Sequence, residues 1–184
     1  DFLAARARQL GLDVTIARTT PAEASAVFAT ALPVAPLAAP VTAQPGAPDA
    51  SSAAAAIGSI DAAVADVLAG RAAAVVTNPI AKSVLYRAGF TDPGHTEYLA
   101  RLAERATGKA VMPVMMLWSP ELAVVPVTIH VALKDAIEHL TTRLIVDTGR
   151  IVARDMAARF GIARPRLAVA GLNPHAGEDG TIGR

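Results

Sequence analysis

Short apolar runs alternate with longer helix-forming stretches along this chain, and no other feature narrows its fold as much. "LDVTIA" (12–17), "AAAVV" (72–76), "VMPVMMLW" (111–118), "ELAVVPVTIH" (121–130) and "RLAVAGL" (166–172) have strand length and strand composition. Helical patterns fall between them, at 1–10, 53–68, after "VVTNPIAK", from Thr96 towards Gly108, and from Thr141 to Phe160. Strands and helices taken in turn predict the α/β class. No internal repeat interrupts the alternation.

The punctuation agrees with this reading. Gly11, Gly70, Gly108 and Gly161 follow helical runs as stops, while Asp49, Ser51, Ser52 and Thr96 are candidate N-caps. Ser119-Pro120 between two apolar runs predicts adjacent strands in antiparallel pairing. On the long helix, Leu144, Ile145, Ile151, Val152, Met156 and Phe160 are expected to face inward. The stretch "PVAPLAAPVTAQPGAP", residues 33–48, lacks backbone donors at each proline and reads as an extended connection.

Composition excludes several function classes. With 17 basic against 16 acidic residues the net charge is +1, which provides no electrostatic footprint for nucleic acid. Mean hydropathy of +0.40 comes from alanine and valine, and Pro113, Pro120, Glu121 and Pro126 cut the apolar runs, so no segment reads as a membrane span. The absence of cysteine rules out disulfides and thiolate metal sites, leaving imidazole, carboxylate and water as metal donors. The chain opens at Asp1 as though already within a helix, without a signal-peptide pattern, and is expected to be an internal portion of a longer protein.

Four histidines therefore carry most of the chemical information. His130 ends the expected strand "VVPVTIH" and His175 follows "RLAVAGL", the strand ends that face the crevice of an α/β sheet. Two neutral imidazoles converging there would suit zinc or a similar divalent ion, although a histidine after a strand is more often an ordinary hydrogen-bonded side chain. His95 lies in "DPGHTEYL" at a helix start. His139 lies on an amphipathic helix and reads as a solvated surface residue. Lys82, after "TNPIA", reads equally as a surface lysine or as an acid-base or phosphate-binding group. Neither a G-x-G-x-x-G fingerprint nor a Walker loop occurs, and "GEDGTIG" opens no evident helix.

Three blocks, "VVTNPIAKSVLYRAGFTDPGHTEYLA", "VTIHVALKDAIEHLT" and "GLNPHAGEDG", together resemble the 4-hydroxythreonine-4-phosphate dehydrogenases of vitamin B6 biosynthesis. The likeness runs from about residue 3 to 184 and is weakest across 33–56, with "GHTE" and "GLNPHAGE" its most specific parts. It implies a two-lobed fold similar to the isocitrate and isopropylmalate dehydrogenases, of which residues 1–184 are an incomplete portion with no lobe boundary legible in sequence. It implies NAD or NADP as cofactor without the usual glycine fingerprint, and a divalent metal: zinc, with magnesium or cobalt as alternatives. By the same resemblance His130 and His175 bind that metal with a third histidine further along, and His95 and Thr96 contact a small phosphorylated amino-acid substrate.

A cytoplasmic homodimer without nucleic-acid or membrane partners completes the implied picture. The activity implied is oxidation of 4-phosphooxy-threonine to a 3-oxo acid that loses carbon dioxide. Competing readings are a relative acting on threonate or erythronate phosphate or on a dihydrodiol, and a non-catalytic metal-binding α/β domain.

Overall fold

The computed structural model describes residues 2–171, 173, 175 and 177–181, and the chain divides into two compact units, Asp1–Pro113 and Val114–Arg184.

The first unit opens with helix α1 (Phe2–Gln9), followed by strand β1 (Ile16–Arg18), a single helical turn α2 (Ala24–Val27) and strand β2 (Leu32–Val34). β1 and β2 pair in parallel, with Ile16 opposite Leu32 and Arg18 opposite Val34. A strand containing Pro33 contradicts the expectation of a wholly extended connection from that residue. The reason is local: Leu32 N–H donates to the Thr15 carbonyl at 2.8 Å and the Val34 carbonyl accepts from Thr19 N–H at 3.0 Å, so Pro33 points away from the ladder.

Helix α3 (Ala50–Leu68) begins at an Asp49 N-cap whose carboxylate accepts from Ser51 and Ser52 N–H, while Ser52 Oγ accepts from Asp49 N–H. This is a reciprocal capping box on three of the residues that sequence singled out. Helices α4 (Lys82–Arg87) and α5 (His95–Thr107) follow, and α5 closes at Gly108, whose φ of 67° is the left-handed cap that glycine adopts without strain.

These three helices build the core. Ala53 and Ile60 of α3, Val84 and Leu85 of α4, Tyr98 of α5 and the intervening Phe90 are all buried and mutually packed, with Ile57, Val64, Leu99 and Leu102 around them. By length and composition α3 could cross a membrane, contrary to the reading of the sequence. In the structure its Ala53–Ile60 face belongs to this core.

The second unit carries an antiparallel hairpin, β3 (Leu117–Trp118) and β4 (Ala123–Val124), with Leu117 opposite Val124 and Ser119 N–H donating to the Leu122 carbonyl. The expected pairing is present, at two residues per strand. Helix α6 (Leu133–His139) precedes α7 (Thr142–Phe160), which is capped by the Thr141 hydroxyl at Leu144 N–H and closed by Gly161 at φ 70°. Val152 and Thr148 are its buried residues, whereas Phe160, expected to face inward, is 48% exposed.

Two expected strands do not form. Residues 72–76 and 166–171 lie outside every ladder, with Val76 and Val169 strongly exposed. An apolar run becomes a strand only when a neighbour takes its backbone hydrogen bonds, and among the described residues these segments have no such neighbour. The element order remains α/β.

Candidate functional site

In the first unit the core fixes the start of α5. Asp92, buried just before the helix, receives Arg101 from two turns along α5, with Nε 2.9 Å and 3.2 Å from its two carboxylate oxygens. The Arg101 guanidinium also lies 4.9 Å over the Tyr98 ring, and Tyr98 meets Phe90 edge-on at 5.0 Å. The Tyr98 hydroxyl donates to Asp61 on α3, and Tyr86 of α4 donates to the Pro93 carbonyl at 3.2 Å. Residues 92 and 93 are therefore tied to α5 and α4, and α5 in turn to α3 through Tyr98 and Asp61.

Two titrations follow from this packing. The Arg101 hydrogen bonds hold the Asp92 carboxyl below its ordinary 3.8 against the opposing effect of burial. Burial first, then the bond to Asp61, push Tyr98 up to about 12, so it remains a protonated donor. A carboxyl depressed by folding contributes stability above its unfolded pKa, and that contribution is lost as the pH falls through the folded value. Asp92→Asn should therefore destabilise the chain at pH 7 by about 1.5–3 kcal/mol, the usual range for a hydrogen bond to a charged group. In thermal unfolding the deficit should narrow as the pH is lowered below 3.8. A deficit of equal size at both pH values would contradict this assignment.

His95 and Thr96 are the first two residues of α5, next to that pinned segment. The N-cap lies two residues earlier than expected: Gly94, extended at φ −173°, occupies it, so Thr96 sits inside the first turn and does not cap. His95 lines a cavity of about 240 Å³ together with Ala56, Ser59 and Ala63 of α3 and the segment Val75–Ile80. The alanines make the room; Ser59, Thr77, Asn78 and the imidazole provide the polar groups. A larger cavity, about 390 Å³ between Phe2, Pro45 and Leu85, is mainly apolar. The exposed Lys82 begins α4, and no hydrogen bond or ion pair engages its ammonium among the described residues.

His130 and His175 belong to the second unit. His130 does not end a strand, since β4 stops at Val124; it is exposed and holds φ at 57°. His175 likewise follows no strand. Its N–H donates to Asn173 Oδ1 at 2.9 Å, and its Nδ1 lies 2.8 Å from Glu178 Oε1. Among the described residues no hydrogen bond joins His130 to His175, and no cluster of three or more histidines and carboxylates has metal-site geometry. His130 and Asp179 (φ 56°) are the two non-glycine residues with positive φ in that set, and both lie in the histidine-bearing blocks. His139 is exposed on α6 with Nδ1 2.7 Å from the Asp135 carbonyl, in keeping with a surface role.

Comparison with known proteins places the whole chain. A family model described as pyridoxal phosphate biosynthetic protein PdxA matches residues 1–184. A 4-hydroxythreonine-4-phosphate dehydrogenase of Bradyrhizobium diazoefficiens is 65% identical over 176 residues, covering 96% of this chain and 51% of that protein. Proteins of the same name from Xanthobacter autotrophicus and Methylorubrum populi are 60% and 58% identical, each over 100% of this chain and 52% and 53% of their own lengths. The chain thus spans about half the length of the curated relatives it matches. On the full-length match, with the "GHTE" and "GLNPHAGE" blocks in place, the chain belongs to the PdxA family of pyridoxal phosphate biosynthetic proteins.

Proposed function

We propose that this chain forms part of a dehydrogenase that oxidises 4-phosphooxy-threonine to the 3-oxo acid, within a two-lobed fold like that of isocitrate dehydrogenase. The observation that carries the reading is the 57–65% identity, over 96–100% of the chain, to relatives named 4-hydroxythreonine-4-phosphate dehydrogenase. The reaction removes hydride from the carbon and a proton from the oxygen of a secondary alcohol, and the resulting β-keto acid then loses carbon dioxide. When bound, a divalent ion would supply Lewis acidity towards that alcohol and NAD or NADP would accept the hydride.

The residues present suit such an ion in one specific respect. With Nδ1 of His175 committed to Glu178, its Nε2 is left as the ligating nitrogen, the usual carboxylate-backed arrangement of a metal histidine. His130 would be the second protein ligand and a residue beyond this chain the third. The strained backbone at His130 supports the same role, because such conformations persist where function requires them. His95 and Thr96, on a helix start open to a polar cavity, would bind the substrate. The working protein is read as a cytoplasmic homodimer.

The test is nicotinamide reduction by the protein at its relatives' full length. Turnover with phosphorylated hydroxythreonine, at least about tenfold above that with phosphorylated threonate or erythronate or a cyclic dihydrodiol, is the expected result. Preference for any of the others would displace the reading.

A further inference from the structure

Gly94 leaves an opening over its Cα that two charged side chains share. A Cβ built there would lie 3.4 Å from Glu97 Oε2, 3.6 Å from Lys82 Nζ and 3.8 Å from Lys82 Cε. These are ordinary contact distances, and Gly94 is fully extended, so neither clash nor backbone conformation demands glycine. What glycine leaves is open space that both an ammonium and a carboxylate approach. Glu97 Oε2 is buried yet has no hydrogen-bond partner, although leaving a buried acceptor unsatisfied is costly. Lys82 Nζ reaches the same opening, and among the described residues no hydrogen bond or ion pair engages it.

We propose that Lys82 and Glu97 close over Gly94 as an ion pair that positions the first turn of α5, and His95 and Thr96 with it, for substrate binding. The residue types and places fit. Glu97 is the third residue of α5, where a carboxylate is favoured by the helix dipole and can fold back towards the N-cap. Lys82 begins α4, and a short rotation of its four-carbon stem across the gap completes the pair. The pair ties α4 to the start of α5, as Tyr86 does through Pro93, and it does so on the side that carries Glu97. Lys82 and Glu97 are thus positioning residues, acting through His95 and Thr96.

The role given to His95 and Thr96 rests on the proposed function; the pairing itself does not. In the full-length protein, Lys82→Met is expected to raise KM for phosphorylated hydroxythreonine about tenfold with kcat within about twofold, since a displaced binding group weakens ground and transition states alike. Lys82→Arg should restore most of the loss. Gly94→Ala should reproduce it by placing a methyl 3.4 Å from Glu97 Oε2 and 3.6 Å from Lys82 Nζ, in the space where the two would close, which also covers the case of a poorly folded Lys82→Met. In a Glu97→Gln background, Lys82→Met should add little. An unchanged KM in both Lys82→Met and Gly94→Ala, or effects of Lys82 and Glu97 that simply multiply, would overturn the proposal. Should the unsubstituted protein not turn over this substrate, the functional reading fails, and the pairing is decided by thermal unfolding of the same variants: non-additive shifts uphold it and additive shifts refute it.

Discussion

Replacing His130 by alanine in the full-length protein should lower turnover by more than about 100-fold and deplete bound divalent metal, because even groups that merely support a ligand cost 10–100-fold when removed. The fold should hardly respond. His130 is exposed and belongs to no core cluster, so the melting temperature should stay within about 2–4 °C, the shift that 1 kcal/mol produces in a domain of this size. His130→Gly makes the prediction sharper. A non-glycine residue at φ 57° pays about 1 kcal/mol of backbone strain that glycine does not, so this variant should lose metal and turnover just as fully while melting no lower than the unsubstituted protein. Metal analysis, steady-state kinetics and calorimetry on the two variants provide the check. Full activity with full metal content in either would remove His130 from the metal site and leave its strained backbone without a functional reason.

The sequence made some elements legible and hid others, and the difference follows from where the stabilising partner lies. Asp49 with Ser52, Thr141 with Leu144, and the terminal Gly108 and Gly161 each satisfy groups within a few residues, so α3, α5 and α7 could be read from local chemistry. Strands depend on a distant neighbour. "AAAVV" and "RLAVAGL" have the apolar pattern but no ladder, while Pro33 entered a strand because only one edge of β2 is engaged. The turn α2 had no sequence signal, being a single turn without a side-chain cap.

The same distinction applies to the candidate sites. His95 and Thr96 are expected together from the resemblance of the "GHTE" block, and the structure makes them consecutive at the start of α5. The bond between His175 and Glu178 was missed, although a carboxylate three residues after a histidine in a turn-forming block is a readable signal. Lys82 was singled out alone. Its proposed counterpart Glu97 carries no such signal, because the two are fifteen residues apart in sequence and only the fold brings both beside Gly94. Helical period alone points Phe160 inward, but period places a residue on a face of the helix and says nothing of whether that face is still covered at its last turn.

The largest stability loss is expected at Leu85. It is 2% exposed, the most deeply buried large side chain described, and it sits where α4 meets α3 in the core of Ile60, Phe90 and Tyr98. Truncation to alanine removes the packing of three carbons and leaves a cavity that the neighbours can only partly fill. Those neighbours are held in place, because Tyr98 is bonded to Asp61 and lies under Arg101, and Phe90 lies against Tyr98. A site that cannot collapse falls towards the upper part of the usual range, so Leu85→Ala should cost about 3–5 kcal/mol in denaturant unfolding of this chain. Leu133→Ala is the control. The Leu133 side chain is 87% exposed on α6, and its loss should change stability by no more than about 0.5 kcal/mol. Similar costs at the two positions would mean that the cluster around Leu85 is not the core of the first unit. The α4–α5 junction that carries Lys82 and His95 would then have to be held by other contacts.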